Sequence, residues 1–301
     1  MLKVYTANSA RGSLCQIQRI ERGFIELGHE ITPYPHLADI IYQNNAWFEG
    51  IIQDKQRGNF KDGTKIIFTV LDCAAHLPDF PINKLKDQLQ HSHAICTISE
   101  YVKRDLKEKT GFDSMVISQP IMPVSYTGIK TCKYKYLAAG RVTDFNKRLN
   151  SAIGALNLLG VHNEELGVVG GENMGVGESL GVVDHETLNN LYNSADFLLC
   201  PSKCEGILLP CVEAMATKTI PIICSDLTTR QELLPSELFP EYDYVEATPV
   251  SIAMFIAKYL QDNEAMNEFK ERLYVHYVNN LQEKFSGINV AKRILEVYKN
   301  L

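Results

Sequence analysis

The segment from 197 to 223 constrains the fold of this chain more than any other part of its sequence. Apolar runs at 197–200 and 220–223 read as two strands, separated by a loop and a short helix. This order predicts a βαβ unit, in which the helix begins just beyond the carboxyl end of a parallel strand. The start of such a helix offers unpaired backbone amides and a partial positive charge, which together favour a phosphate group.

Two glutamates accompany this predicted unit, eight positions apart in the chain. Glu205 lies just before the predicted helix, and Glu213 lies inside it. A carboxylate accepts strong charge-assisted hydrogen bonds, so acids beside a phosphate cradle suit the hydroxyl groups of a sugar. The combination indicates a nucleotide-sugar site. The alternative is an ordinary surface helix that carries two solvated acids.

The stretch resembles the Glu-x7-Glu motif of retaining glycosyltransferases with the GT-B architecture, in particular glycosyltransferase family 4. A Pro-Ser pair upstream and Glu-Ala-Met-Ala within the helix support the resemblance. It implies that Glu205 holds the donor sugar and Glu213 the ribose. The residues between them that it assigns to donor binding are Gly206, Ile207, Leu208 and Leu209. The family usually has Gly-Phe-Gly after the first glutamate, so Leu208 is expected to narrow the space near the sugar and to disfavour a positive φ.

A second candidate for anion binding follows the apolar run at 134–139. A glycine and Arg141 come directly after this run, and Lys147 and Arg148 follow six and seven residues later. An arginine fork and a lysine point charge both suit phosphate. The pattern resembles the family's Gly-Arg…Lys motif, which implies that these cations neutralise the leaving diphosphate. The spacing is one residue longer than usual, so Lys147 and Arg148 both remain candidates beside the alternative of surface cations at a helix start.

The first half of the chain supplies three further candidates. A strand at 3–6 precedes a loop with Gly12, a candidate for donor binding, and this loop resembles the family's glycine-rich loop but has fewer glycines. A strand at 66–71 precedes Asp72 and His76, and open parallel sheets bind ligands at the carboxyl ends of their strands. In similar enzymes this loop carries a polar residue near the sugar and the acceptor. We therefore predict that Asp72 or His76 contacts one of them, the alternative being a loop without a functional role.

Alternating strand and helix patterns along the whole chain predict parallel sheets and an α/β fold. Further strands are predicted at 166–169 and 244–245. The 301 residues suit two domains of about 150 residues each. A stretch with prolines and a glycine at 120–133 is the linker candidate. The resemblance implies two Rossmann-like domains facing a cleft, with three predicted segments: an N-terminal acceptor-side domain at 1–125, a C-terminal nucleotide-sugar-binding domain at 133–284, and a helix at 285–301 that returns to the first domain.

Composition narrows the class of protein. No run of 18 apolar residues predicts a membrane span. The first residues read as a strand rather than a signal peptide, and the eight cysteines form no Cys-x-x-Cys pair, so reduced thiols in a cytoplasmic protein are expected. The net charge is −6, and acids are interspersed among the basic residues of the first half. A nucleic-acid acceptor is therefore not favoured, although the sequence does not exclude one.

These observations and the resemblance predict a retaining hexosyl- or pentosyltransferase. Its donor is a nucleotide diphosphate sugar, and its acceptor is a glycan, a small molecule or a modified nucleic acid. No Asp-x-Asp motif occurs in the chain, so metal-independent transfer without a further cofactor is expected. The alternatives are a nucleotide-sugar epimerase of the same architecture and a non-catalytic relative that binds nucleotides or carbohydrates. The sequence does not indicate an oligomeric state.

Overall fold

The structure is a computed structural model, which describes residues 1–8, 14–44, 49–71, 81–140, 144–170 and 175–301. The chain divides into two compact units. The first unit comprises Met1–Pro120 together with Glu283–Leu301, and the second comprises Ile121–Gln282. The separate acceptor-side and donor-side roles expected for the two halves of the chain stay predictions.

Each unit contains one parallel sheet. The strands are β1 Lys3–Asn8, β2 Glu30–Ile31, β3 Ile40–Asn44, β4 Lys65–Val70, β5 Ala94–Thr97, β6 Met115–Val116, β7 Tyr136–Ala139, β8 Leu166–Val169, β9 Glu178–Gly181, β10 Phe197–Leu199 and β11 Ile220–Ile222. The first unit has the strand order β2-β1-β3-β4-β5-β6, and the second has the order β11-β10-β7-β8-β9. Every strand pair in both sheets is parallel.

An α-helix follows most of the strands. The α-helices are α1 Leu14–Glu26, α2 Glu49–Gln56, α3 Ile82–Leu89, α4 Glu100–Thr110, α5 Leu149–Leu158, α6 His185–Ser194, α7 Leu209–Ala216, α8 Arg230–Leu233, α9 Pro249–Leu260, α10 Asn263–His276 and α11 Gly287–Lys299. Short 3-10 helices lie at Pro35–Leu37, Phe145–Lys147, Asn163–Glu165 and Pro240–Tyr244, and a π-helical turn lies at Tyr277–Leu281. No helix within the described ranges is long and apolar enough to cross a bilayer.

The first unit is closed by its most C-terminal helix. Helix α11 packs against α1, and its buried face joins the core cluster formed by α1 and the central strands. Glycines make the close approach feasible, because a Cβ on Gly23 would lie 2.5 Å from the carbonyl oxygen of Gly287. A Cβ on Gly287 would lie 2.5 Å from the carbonyl oxygen of Arg19. The two helix backbones therefore meet at a point that admits no side chain.

The order of strands in the second unit reverses direction between β7 and β10. From β7 the chain proceeds outward to β8 and β9 on one side, whereas β10 and β11 lie on the other side. Loops leaving β7 and β10 therefore turn in opposite directions, which marks the topological switch point where open α/β sheets bind ligands. The stacked rings of Tyr136 and Phe197, with centroids 5.7 Å apart, fix the two strands against each other.

Candidate functional site

The switch point brings together two residues that the sequence singled out separately. Lys147 follows β7 and Glu205 follows β10, and the Nζ atom of Lys147 lies 2.6 Å from Oε1 of Glu205. The two side chains are 19% and 17% exposed, so water screens the pair only in part. The structure thus places a cation and a carboxylate in direct contact at the carboxyl edge of the sheet. Such a pair offers a donor for phosphate oxygens and an acceptor for hydroxyl groups.

Arg148 binds the protein itself. Its guanidinium donates to the carbonyl oxygens of Pro201 and Ser202 and forms a two-pronged ion pair with Asp226, at 2.7 and 2.8 Å. The hydrogen bond from Arg148 holds the pKa of the Asp226 carboxyl below its ordinary value. Arg148 therefore joins the loops that follow β10 and β11. Of the two cations left open by the motif spacing, Lys147 is the one that contacts Glu205.

Two side chains that the sequence did not single out hold the backbone of the Glu205 loop. The Thr228 hydroxyl accepts from the amide of Glu205 and donates to its carbonyl oxygen, both at 3.0 Å. The Asn146 side chain bonds the preceding residue in the same way: its Oδ1 accepts from the Cys204 amide at 2.9 Å, and its Nδ2 donates to the Cys204 carbonyl at 2.5 Å. Each side chain thus makes the two backbone hydrogen bonds that a neighbouring strand would make in a sheet.

The start of helix α7 presents backbone amides near Glu205. In the described part of the chain, no acceptor bonds the amides of Gly206, Ile207 or Leu208. Leu208 is 1% exposed and has φ −89°, so leucine takes the helix-cap position without backbone strain. The amide of Leu209 donates to the carbonyl oxygen of Ile207. The amides of residues 206–208 are therefore the ones suited to an anion.

Glu213 is buried and bonded within the second unit. It is 5% exposed, its Oε1 accepts from the Met122 amide at 3.0 Å, and its Oε2 accepts from the Tyr192 hydroxyl at 2.8 Å. Burial and the Glu213 charge raise the pKa of Tyr192 well above its ordinary value, so this phenol stays a donor. Both carboxylate oxygens therefore have protein donors, and a ribose contact from Glu213 stays a prediction.

Tyr192→Phe is expected to lower the free energy of unfolding by about 1.5–3 kcal/mol, because it leaves one oxygen of a buried carboxylate without its donor. Urea unfolding followed by circular dichroism measures the change. The matched control is Tyr244→Phe, whose side chain is 82% exposed and which should be nearly neutral. Equal destabilisation by the two variants would contradict a structural role for the Tyr192 hydroxyl.

Several predicted site residues lie outside the described part of the chain. They are Gly12, Asp72, His76 and Arg141. Gly140, which lies between β7 and Arg141, has φ 105°, and a Cβ added to Gly170, which follows β8, would collide with the carbonyl oxygen of Gly140. Among the described residues, no group of three His, Cys, Asp or Glu side chains is arranged to hold a metal ion. Metal-independent chemistry stays a prediction.

Comparison with curated proteins gives one informative relative. The chain is 30% identical to an uncharacterized glycosyltransferase of Methanocaldococcus jannaschii in an alignment of 187 residues, which covers 57% of this chain. The aligned part is 46% of that relative, so the chain spans less than half the length of this curated protein. No family model matches the chain.

Solved structures give a likeness over the whole chain. Sucrose-phosphate synthase from Thermosynechococcus elongatus has a TM-score of 0.77 and 13% identity, covering 100% of this chain and 99% of its own. The chain has the fold of GT-B glycosyltransferases. S. aureus TarM, in a structure with UDP, fondaparinux and α-GlcNAc-glycerol, has a TM-score of 0.62 and 13% identity over 86% of this chain and 55% of its own. The predicted α/β GT-B class, with a parallel sheet in each unit, is confirmed, and at these identities the likeness concerns the fold alone.

Proposed function

We propose that this protein is a retaining glycosyltransferase, which moves a sugar from a nucleotide diphosphate donor to an acceptor hydroxyl without a metal ion. The Lys147–Glu205 contact at the switch point carries the proposal. It joins a phosphate-binding cation to a sugar-binding carboxylate beside the amides at the start of α7. The aligned glycosyltransferase from Methanocaldococcus jannaschii and the GT-B fold support the same class of reaction.

Each group has a defined electrostatic task in such a transfer. Cleavage of the glycosidic bond leaves positive charge on the sugar ring and negative charge on the departing diphosphate. Lys147 and the amides of residues 206–208 stabilise the diphosphate, a task in which Arg141 is also expected to take part. Glu205 orients the sugar through its hydroxyl groups. The departing phosphate accepts the proton of the acceptor, so the scheme requires no protein base.

The acceptor is proposed to bind near the loop after β4. Asp72 and His76 stay the candidates for contacting it or the sugar. A glycan or a small molecule fits the charge of the chain better than a nucleic acid does, because the net charge is −6. TarM was solved with UDP, so UDP is the first nucleoside diphosphate to test on this chain.

A donor screen tests the proposal. UDP, ADP and GDP, and the glucose ester of each, are added to the protein, and the thermal midpoint is recorded. A bound donor at 100 times its Kd stabilises the folded state by about 2.7 kcal/mol. The bound nucleotide sugars are then incubated with glycerol, glucose and cellobiose, and products are identified by mass spectrometry and by NMR of the anomeric proton.

Release of nucleoside diphosphate with a glycoside of unchanged anomeric configuration supports the proposal. Conversion of the donor into an isomer, without release of nucleoside diphosphate, would identify an epimerase instead. Binding without any conversion would favour the non-catalytic relative.

Lys147→Met is expected to weaken nucleoside diphosphate binding by about 10- to 100-fold, because a charge-assisted hydrogen bond contributes about 1.5–3 kcal/mol. The variant also leaves the Glu205 carboxylate without its cation, and that carboxylate then repels phosphate. Isothermal titration with the nucleoside diphosphate from the screen measures the change. Lys292→Met, an exposed lysine on α11, is the control. Unchanged affinity in Lys147→Met would exclude this lysine from the phosphate site.

A further inference from the structure

The loop that carries Glu205 lies between two neighbouring loops of the same sheet edge. Strand β10 has β7 on one side and β11 on the other. Asn146 comes from the loop after β7, and Thr228 comes from the loop after β11. Beyond the end of β10, no strand in the described part of the chain holds this loop by ladder hydrogen bonds. The side chains of Asn146 and Thr228 supply these bonds instead, one residue each.

Backbone contacts fix the two supporting residues in turn. The carbonyl oxygen of Asn146 accepts from the amide of Lys203, and the amide of Thr228 donates to the carbonyl oxygen of Lys203, both at 3.1 Å. Asp144 accepts from the Asn146 amide at 3.0 Å. Backbone hydrogen bonds thus fix Asn146 and Thr228 independently of the side-chain bonds that they make to Cys204 and Glu205. The backbone of the residue that carries the carboxylate is held from both sides.

Asn146 also sets the relation between the two charged residues. It directly precedes Lys147 in a 3-10 turn, and it bonds the residue that directly precedes Glu205. Asn146 therefore links the loop that carries the lysine to the loop that carries the carboxylate, and loss of this link would let the two charged groups move relative to each other.

We propose that Thr228 and Asn146 are positioning residues, which fix the Glu205 carboxylate and Lys147 in the geometry that sugar transfer requires. The proposal rests on the proposed function. A misplacement of about 1 Å in an active site costs about 100-fold in rate. Loss of the Thr228 hydroxyl should therefore affect turnover far more than folding, since Arg148 also joins the loops after β10 and β11 with four hydrogen bonds.

Thr228→Val and Thr228→Ser form the central comparison. Valine keeps the shape of threonine but removes the hydroxyl, whereas serine keeps the hydroxyl. We expect Thr228→Val to lower kcat by about 10- to 100-fold. The Kd for the nucleoside diphosphate should change by less than about threefold, because Lys147 and the α7 amides remain. Thr228→Ser should stay within about threefold of the wild type in both quantities. Thr131→Val, an exposed threonine of the same unit, is the control substitution.

A double-mutant cycle with Glu205→Gln separates positioning from general damage. If Thr228 acts through the carboxylate, Thr228→Val should have little further effect on the residual turnover of Glu205→Gln. An equal loss in both backgrounds would overturn the proposal. So would equal loss in the valine and serine variants, or wild-type kcat in Thr228→Val.

Hydrogen exchange gives a readout independent of turnover. Exchange in the peptide covering residues 203–209 should be faster in Thr228→Val and in Asn146→Ala, because the amides of Glu205 and Cys204 respectively lose their acceptors. It should not be faster in Thr228→Ser or Thr131→Val. Unchanged exchange in both Thr228→Val and Asn146→Ala would overturn the positioning role. Failure of the wild type to transfer any sugar would reject the proposed function, and the exchange data would still decide whether these side chains hold the loop.

Discussion

Glu205→Gln is expected to lower kcat by about 30- to 1,000-fold, corresponding to about 2–4 kcal/mol of transition-state stabilisation. Glutamine keeps the shape of the side chain but removes its negative charge. That charge strengthens the hydrogen bonds from the sugar hydroxyls as the sugar ring gains positive charge. The Nζ atom of Lys147, which lies 2.6 Å from Glu205, then loses its anionic partner and is released to bind phosphate. Affinity for the nucleoside diphosphate should therefore be unchanged or higher.

Steady-state kinetics with saturating donor, together with titration of the nucleoside diphosphate, measures both quantities. Glu164→Gln is the matched control, because Glu164 is exposed in the same unit. The assignment of Glu205 to the sugar would be wrong if its variant keeps wild-type kcat. It would also be wrong if the variant loses diphosphate affinity in parallel with Lys147→Met.

Asp196→Ala is expected to lower the free energy of unfolding by about 3–5 kcal/mol, because removing one partner leaves a buried charge uncompensated. One oxygen of Asp196 lies 2.5 Å from Nζ of Lys270 and 2.7 Å from Nζ of Lys130. Lys270 is only 12% exposed, and its burial lowers the pKa of its ammonium group. Urea unfolding measures the loss. Asp113→Ala removes an exposed ion pair with Lys107 and should cost less than about 1 kcal/mol.

This ion-pair cluster also predicts a pH dependence. Burial raises the pKa of Asp196, but the charges of Lys270 and Lys130 outweigh it and hold the pKa below its ordinary value. A carboxyl whose pKa is lowered by folding stabilises the protein above its unfolded pKa and loses that contribution as the pH falls. The stability difference between the wild type and Asp196→Ala should therefore shrink as the pH falls below about 3.9. A difference that stays constant down to pH 2 would contradict this role for the charge.

The sequence predicted the elements of the second unit well where an apolar run and the residues that end it mark a strand and the start of the next helix. Apolar runs and the acidic helix start specified β10, α7 and β11, because each element is encoded by adjacent residues. The sequence singled out Lys147 and Glu205 separately, and the structure brings these residues, 58 positions apart, into contact because the carboxyl ends of parallel strands share an edge. The α/β class and the parallel sheets are therefore confirmed on the same physical basis.

Other features depend on contacts that single-sequence patterns do not encode. Asn146 and Thr228 bond backbone atoms 58 and 23 residues away, and polar residues in loops give no periodic signal. The strand predicted at 244–245 is wrong. A 3-10 helix occupies Pro240–Tyr244, in which the buried Tyr242 donates to the carbonyl oxygen of Pro221. Tertiary packing of one tyrosine overrides the local preference for a strand there.

The packing of α11 has a consequence for the order in which the chain can fold during synthesis. Residues 121–282 form one continuous unit, whereas the first unit needs α11 from the far end of the chain. Until α11 leaves the ribosome, Ile20 and Phe24 lack part of their apolar cover. We therefore expect the second unit to complete its fold first, reversing the usual N-terminal-first order of domains. The nascent first unit is the part that requires protection from aggregation meanwhile.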